Sequence, residues 1–288
     1  MYSLTGQSAA GFPFFTIITA TRNSAATLPR LLESLATQTC RDFELIIQDG
    51  ASTDGTVAVA EAWRERLPAL SLASEPDTGI YDAWNKALPR IQGEWALFLG
   101  ADDQLDAADV LERCFAALRD APDTVQYASG MVQTVAVGGD PVSIWQHYKK
   151  NVNKHTWRAM PFPHQALFHQ RSLFSRDRFD ANLRIAADFD FVCRTWTEKN
   201  GSLVLPFVVT RMRRGGISDS PASTLRMRWE NAVVAARYFE HVWTASCVTG
   251  LAKGCLLWLV CALLGKRAPG LLDAGRRLRG LPPAWRGL

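Results

Sequence analysis

Trp95-Ala96-Leu97-Phe98-Leu99-Gly100-Ala101-Asp102-Asp103 is the stretch on which the reading of this chain turns. The apolar run 95–99 suits a strand buried on both faces, the kind found in parallel sheets. Such a strand delivers the residues after it to the carboxyl edge of the sheet, where open α/β folds bind ligands. Here those residues are a small-residue step and two adjacent carboxylates, which repel each other unless a positive charge lies between them. A divalent cation such as Mn²⁺ or Mg²⁺ carrying a phosphate ester satisfies both, because hard cations take carboxylate oxygens. The competing reading is a plain turn in which Asp102-Asp103 caps a helix beginning near Asp106.

Outward from this stretch, strand and helix signals alternate. Phe14–Ala20 is rich in β-branched and aromatic residues and predicts the first strand. A helix is expected over Leu28–Gln38, with Thr27 as its cap, Pro29 in its first turn and Leu31, Leu32 and Leu35 on one face. Phe43–Gln48 predicts a strand ending in the polar turn Asp49–Gly55, and a helix comes next over Thr56–Arg66. Leu70–Ser74, Gly79–Ile91 and Glu94–Leu99 predict strand, helix and strand. This alternation argues for a doubly wound α/β fold with a parallel sheet. The second half is less regular. It predicts a helix over 110–119, strands over 125–137 and 142–148, and an extended loop over 151–163. A strand at 165–171, a helix at 187–198, a strand at 203–212, a basic loop at 213–218 and a helix at 222–241 complete it.

Charge is distributed unevenly. Residues 1–204 carry a net −5 and residues 205–288 a net +9. An acidic body argues against a nucleic-acid partner, and the basic tail suits an anionic surface. Residues 242–265 are strongly apolar, yet the clean run after Gly254 is shorter than the ~18–20 residues a spanning helix needs. With Lys266, Arg267, Arg276, Arg277 and Arg279 behind it, the segment predicts a helix lying on the inner membrane surface; the alternative is a packing helix or a dimer contact. The six cysteines form no Cys-x-x-Cys pair and read as buried thiols. Met1–Gly11 has no basic n-region or long apolar core, so the body is expected in the cytoplasm, peripherally associated with the membrane.

Position along the chain singles out the candidate site residues. Thr19, Ala20 and Arg22 leave the first strand at the carboxyl edge and would wall a nucleotide site. Asp49 ends the second strand, where a carboxylate can accept hydrogen bonds from a base or ribose, or can simply form a turn. Asp82 and Asn85 are three apart and share a helix side. Asp188 and Asp190 are two apart and do not, so only one of them reaches a site as general base.

Several blocks, in this order, resemble glycosyltransferase family 2, and in particular bacterial enzymes that build exopolysaccharide or O-antigen units on a lipid carrier. They are Thr16–Asn23, Asp49–Thr56, Ser74–Lys86, Gly93–Trp95 with Gly100–Asp103, Pro163–Phe168 and Ala187–Asp190. The resemblance covers about residues 12 to 220 and implies a GT-A fold, with a catalytic domain over 1–220 and a helical, apolar and basic segment over 221–288. It implies inverting transfer from a UDP-, GDP- or dTDP-sugar to a lipid-linked saccharide, with Mn²⁺ or Mg²⁺ as cofactor. It assigns Asp103 to the metal, Asp102 to metal or ribose, Asp49 to the base, and the Asp77–Lys86 block with Asp77, Asp82 and Asn85 to the donor. It makes Asp188 the base, although Ala187 replaces the glutamate that usually precedes it. His164 and Gln165 would border the acceptor, or serve structure alone. Arg213 and Arg214 would close over the diphosphate, or stay solvated. A sugar nucleotidyltransferase ranks lower, because the loop Ala20–Ser24 has no glycine to hold a triphosphate. A non-enzymatic donor-binding or scaffold protein is the other alternative.

Overall fold

The computed structural model describes residues 11–136, 140–145, 157, 159–196, 201–213 and 221–239, with isolated positions between 249 and 278. The first half alternates as its sequence predicts. Strands β1 (Phe15–Thr21), β2 (Phe43–Asp49), β3 (Leu70–Ser74) and β4 (Trp95–Gly100) are separated by helices α1 (Leu28–Ala36), α2 (Thr56–Ala62) and α3 (Ile80–Ala87). The second half contributes β5 (Gln104–Leu105), α4 (Val110–Leu118), β6 (Val125–Val135), β7 (Pro141–Trp145), β8 (Leu167–Gln170), α5 (Ala187–Thr195), β9 (Gly201–Arg213) and α6 (Pro221–Tyr238).

One sheet runs in the order β3-β2-β1-β4-β8-β6-β9-β5, with β7 paired to β6. Its first four strands are parallel. Beyond β4 the sheet is mixed: β8 is antiparallel to both β4 and β6, β5 is antiparallel to β9, and β6 and β9 are parallel. The expected parallel character therefore belongs to the first half, where each strand is followed by a crossover helix. Antiparallel neighbours need no such crossover.

Helices cover both faces. Leu31, Leu32 and Leu35 of α1 and Cys114 and Leu118 of α4 pack with Leu97 and Leu99 on one face. Tyr81 and Trp84 of α3, Phe189 and Phe191 of α5 and Val234 of α6 pack with Ala96 and Phe98 on the other. Burial on both sides is why β4 reads as a continuous apolar run rather than an alternation.

Local departures have local causes. Thr27 occupies the N-cap position of α1, but its hydroxyl donates to the Ser24 carbonyl at 3.3 Å and accepts no helix amide. Helix α3 gives way at Leu88 to a 3₁₀ turn carrying Pro89. The strand expected from 165 starts two residues later, after a 3₁₀ turn over 164–166. Two-residue β5 is too short for any periodicity to reveal, yet it ties the chain after Asp103 to β9 through Leu105 and Thr210. Cys114 and Cys193 are buried as expected, Cys40 is half-buried, and Cys255 is exposed against expectation. The expected surface helix over 242–265 lies outside the described residues except at isolated positions. Among the described residues no helix is long and apolar enough to cross a membrane.

Candidate active site

The carboxyl ends of β1, β2 and β4 lie side by side, with Thr21 opposite Asp49 and Ala20 opposite Gly100. Asp49 is wholly buried. One of its oxygens accepts the hydroxyls of Thr21 (2.8 Å) and Ser52; the other accepts the Ser52 amide (2.8 Å) and the Ser74 hydroxyl (2.7 Å). Burial pushes its carboxyl up, but the bonds from Ser52, Ser74 and Thr21 outweigh it and hold the group below the usual carboxylate range. All four acceptor positions of Asp49 are used within the chain. Thr19 departs from the expected wall. It is fully buried beneath the edge, so it offers no wall to a ligand, whereas Ala20 is half-buried and Arg22 is exposed. Asn23 and Ala51 both take left-handed backbone, with φ of 50° and 57°. The Asn23 amide donates to the Ser52 hydroxyl and its side chain accepts the Thr53 amide, which locks the two loops together. Asp54 joins the lock, accepting the Ala25 amide at 3.0 Å and the Thr56 amide at 3.1 Å at the start of α2.

Asp77 lies directly over Gly50. A Cβ at position 50 would come within 2.3 Å of its Oδ2, which is the physical reason for glycine there. Its other oxygen accepts the Gly79 amide at 2.9 Å. Asp82 accepts the Thr78 amide at 2.9 Å, a bond that holds its carboxyl below the usual range, with Lys86 nearby adding to the effect. Asn85 is engaged within the chain. Its amide donates to the Phe179 carbonyl (2.8 Å) and accepts the Phe179 amide (2.9 Å), clamping α3 to the chain before α5. Lys86 donates to the Pro76 carbonyl at 2.6 Å and so holds the Asp77 loop.

The Gly100–Asp103 turn is tight. Asp103 is 2 % exposed and its Oδ2 accepts the Gly100 amide at 2.8 Å. A Cβ on Gly100 would lie 2.9 Å from Asp102 Oδ1 and 3.1 Å from Asp103 Oδ2, so oxygens of the two carboxylates converge over that glycine. Burial, with the Asp102 charge adding to it, pushes the Asp103 carboxyl up to about 8. Neither aspartate caps α4, which starts at Val110 behind Asp109. Two converging oxygens in a tight turn, one of them on a buried carboxylate, fit a small hard cation. No group of three acidic, His or Cys side chains that could hold a metal occurs among the described residues, so phosphate and water oxygens would complete the shell.

The third cluster is on the α3–α5 side. Asp188 accepts its neighbour's amide, Phe189 N–H, at 2.8 Å, and its Oδ1 lies 3.3 Å from the Tyr81 hydroxyl. Burial pushes its carboxyl above the usual range, partly offset by His164. His164 stacks on Trp84 with centroids 5.0 Å apart, and its Nδ1 is 3.8 Å from Asp188 Oδ2. Asp190 points elsewhere. It is 1 % exposed, accepts Arg237 at 2.9 Å and Tyr238 at 3.1 Å, and is committed to joining α5 to α6. Of the two candidate bases, the structure brings Asp188 to Tyr81 and His164, while one oxygen of Asp190 ties α5 to α6. Gln165 is half-buried, with its amide at 3.1 Å from the Met212 sulfur. Arg213 closes β9 opposite Val135, and Arg214 lies outside the described residues.

Two contributors escaped the sequence reading. The Tyr81 hydroxyl donates to the Ile185 carbonyl at 2.6 Å, just ahead of α5. Glu230 of α6, 7 % exposed, accepts three consecutive amides, those of Arg184, Ile185 and Ala186, at 2.8–3.0 Å. It thereby fixes the approach to Asp188. No local sequence signal marks an acid that works on a segment 44–46 residues away.

Comparison with known proteins places these clusters in context. The family described as "Glycosyl transferase family 2" matches residues 16–180. A "PGL/p-HBAD biosynthesis glycosyltransferase" of Mycobacterium tuberculosis is 35% identical over 217 residues, covering 72% of this chain and 80% of the relative. An uncharacterized glycosyltransferase of the same organism is 30% identical over 63% of this chain and 68% of its own length. Among solved structures, a mannosyltransferase from Pyrobaculum calidifontis in complex with GDP-Man and Mn²⁺ superposes with a TM-score of 0.65 at 21% identity, covering 95% of this chain and 82% of that one. S. aureus TarS 1–349 in complex with UDP-GlcNAc gives 0.59 at 22% identity, covering 89% and 74%. At such identities the two structures speak for the fold alone, and it is the GT-A-like architecture that the resemblance implied.

Proposed function

This chain belongs to glycosyltransferase family 2 and is a glycosyltransferase, and from that premise we propose that it moves a sugar, with inversion and metal dependence, from a nucleoside diphosphate donor to a lipid-linked saccharide in the making of a cell-surface polysaccharide. The observation that carries the metal-dependent part is the Gly100–Asp103 turn, where two carboxylates converge and burial, with the Asp102 charge, pushes the Asp103 carboxyl up to about 8. Asp103 and Asp102 would hold Mn²⁺ or Mg²⁺ together with donor phosphates. When bound, the ion supplies Lewis-acid neutralisation of the leaving diphosphate.

The remaining steps belong to side chains of this protein. Asp188 takes the proton of the acceptor hydroxyl as the new C–O bond forms and the bond from sugar to diphosphate breaks. Burial raises the affinity of its carboxyl for that proton. Ala20, Asp77 and Asp82 line the donor side, Arg22 lies exposed at the same edge, and His164 and Gln165 border the acceptor. Arg213 and Arg214 meet the diphosphate. The donor class is supported by fold relatives bound to UDP, UDP-GlcNAc and GDP-Man. A place on the inner face of the membrane is supported by the basic tail and by Leu256, Leu259 and Leu263, exposed at 62%, 48% and 75% with a helical spacing.

The test is nucleotide release by the purified chain from UDP-, GDP- and dTDP-sugars in the presence of a membrane lipid extract, with and without Mn²⁺ or Mg²⁺. Release from one donor, dependent on metal and lost in Asp103→Asn and Asp188→Asn, is the expected result. Release that survives chelation overturns the metal assignment. Donor binding with no turnover on any extract favours a non-catalytic binding protein.

A further inference from the structure

The base cluster contains an unexplained pair of histidines. His164 is 8% exposed and His169 is fully buried, and among the described residues no ring nitrogen of either has a hydrogen-bond partner. Buried polar groups are rarely left so, and each exception asks for a reason. His169 lies among Phe98, Tyr127, Phe174 and Phe191, away from any carboxylate, and burial keeps it neutral. His164 differs, because its Nδ1 points toward Asp188.

The two oxygens of Asp188 are not equivalent. Oδ1 accepts the Phe189 amide and lies near Tyr81. Tyr81 has one proton, and the 2.6 Å contact to the Ile185 carbonyl claims it, so Tyr81 gives Asp188 little. Among the described residues Oδ2 has no donor, and the group aimed at it is the imidazole of His164, 3.8 Å away. That distance is beyond a hydrogen bond, but contacts of this kind in ligand-free enzymes are often long and tighten when substrate binds. The ring is held for the purpose. It stacks on Trp84 with planes 22° apart, packs near Phe98, and comes directly after the stiff Pro161-Phe162-Pro163 segment.

We propose that His164 is a positioning residue for the base: neutral, it donates Nδ1–H to Oδ2 of Asp188 and fixes the orientation of the carboxylate toward the acceptor hydroxyl. This rests on the reading of Asp188 as base. The hydroxyl proton passes to Asp188 and stays there while the sugar–oxygen bond forms and the diphosphate leaves with its electron pair; His164 remains neutral throughout. Burial lowers its own affinity for protons, which favours that neutral form. The titratable groups around Asp188 are Tyr81 from α3, His164 with His169 behind it at 5.7 Å, and Glu230 from α6, whose charge is spent on the amides of 184–186. Asp190 on the same helix is turned to Arg237.

The decisive experiment is ¹⁵N NMR of the full chain labelled at histidine, with His164→Phe assigning the signal. Wild type is expected to show His164 as the Nδ1–H tautomer, and Asp188→Ala to shift it toward the other. An unchanged tautomer overturns the proposal. The kinetic arm uses the donor singled out by nucleotide release. His164→Phe keeps a ring on Trp84, so melting stays near wild type. Its kcat falls at least ~10-fold with the donor KM unchanged, and the acid limb of kcat/KM moves to higher pH, because a carboxylate without its donor is harder to ionise. If Asp188→Ala is inactive while His164→Phe keeps the wild-type rate and pH profile, this inference alone fails. If Asp188→Ala still transfers sugar, the reading of the base fails, and the inference with it.

Discussion

At the β1–β2 corner of the sheet, Asp49 is buried with every acceptor position used, and its hydrogen bonds hold it ionised. At the α3–α5 corner, Asp188 is held above the usual range, with one oxygen short of a donor and an unpartnered imidazole beside it. Asp49 ends strand β2 and Asp188 lies in the first turn of α5, and both belong to blocks that resemble the family. The difference teaches how to tell a carboxylate that builds from one that reacts: the first is satisfied inside the chain, the second waits for a partner that arrives with the ligand. Asp103 belongs with the second kind, and Asn85, with both ends of its amide engaged, with the first.

The sharpest way to break this contrast is Asp188→Asn. Loss of a general base lowers the transfer rate by ~10²–10⁴-fold. Because the folded state raises this group's pKa, its ionised form costs stability above the unfolded pKa of ~3.9, so the neutral amide leaves the unfolding midpoint at pH 7 unchanged or higher. A lowered midpoint with activity intact would reverse the assignment.

Asp49→Ala should do the opposite. It orphans donors from Thr21, Ser52 and Ser74, and charge-assisted bonds contribute ~1.5–3 kcal/mol each, so a loss of at least ~3 kcal/mol is expected in denaturant unfolding. The same variant carries a pH signature. Asp49 has a depressed folded pKa, so its stabilisation is present above ~3.9 and is lost as pH falls through the folded value. Wild-type stability therefore drops on acidification, and the drop is shallower in the variant.

Asn85→Ala sharpens the comparison inside one helix. Two backbone groups of Phe179 lose their partners, at a cost of ~1–3 kcal/mol, while the donor KM stays within about twofold. A large rise in KM without loss of stability would restore Asn85 to the donor site. The smallest effect is expected for Arg22→Ala: stability within ~0.5 kcal/mol, as at other exposed positions, with a weaker donor KM.

Much of this was legible in the chain. The first four strands and their crossover helices repeat short patterns of burial, and β4 announces itself because both its faces are covered. The clusters near Asp49, Asp77, Asp103 and Asp188 were visible as polar breaks after apolar runs. Their internal hydrogen bonding was not. That Asn85 faces Phe179, that Asp190 faces Arg237, and that Glu230 caps the approach to α5 depend on contacts between segments 44 to 94 residues apart. Likewise the turn of β8 against β4 depends on strand order, which no local window contains.

Local pattern decided which segments are strands and helices, where the polar turns fall, and which acids stand at the sheet's carboxyl edge, because periodicity and turn chemistry act over a few residues. The tertiary structure alone decided which of those acids are satisfied and which are left short of a partner. Hydrogen bonds and burial are settled between distant segments, and it is their balance that holds Asp49 ionised and leaves Asp103 and Asp188 raised.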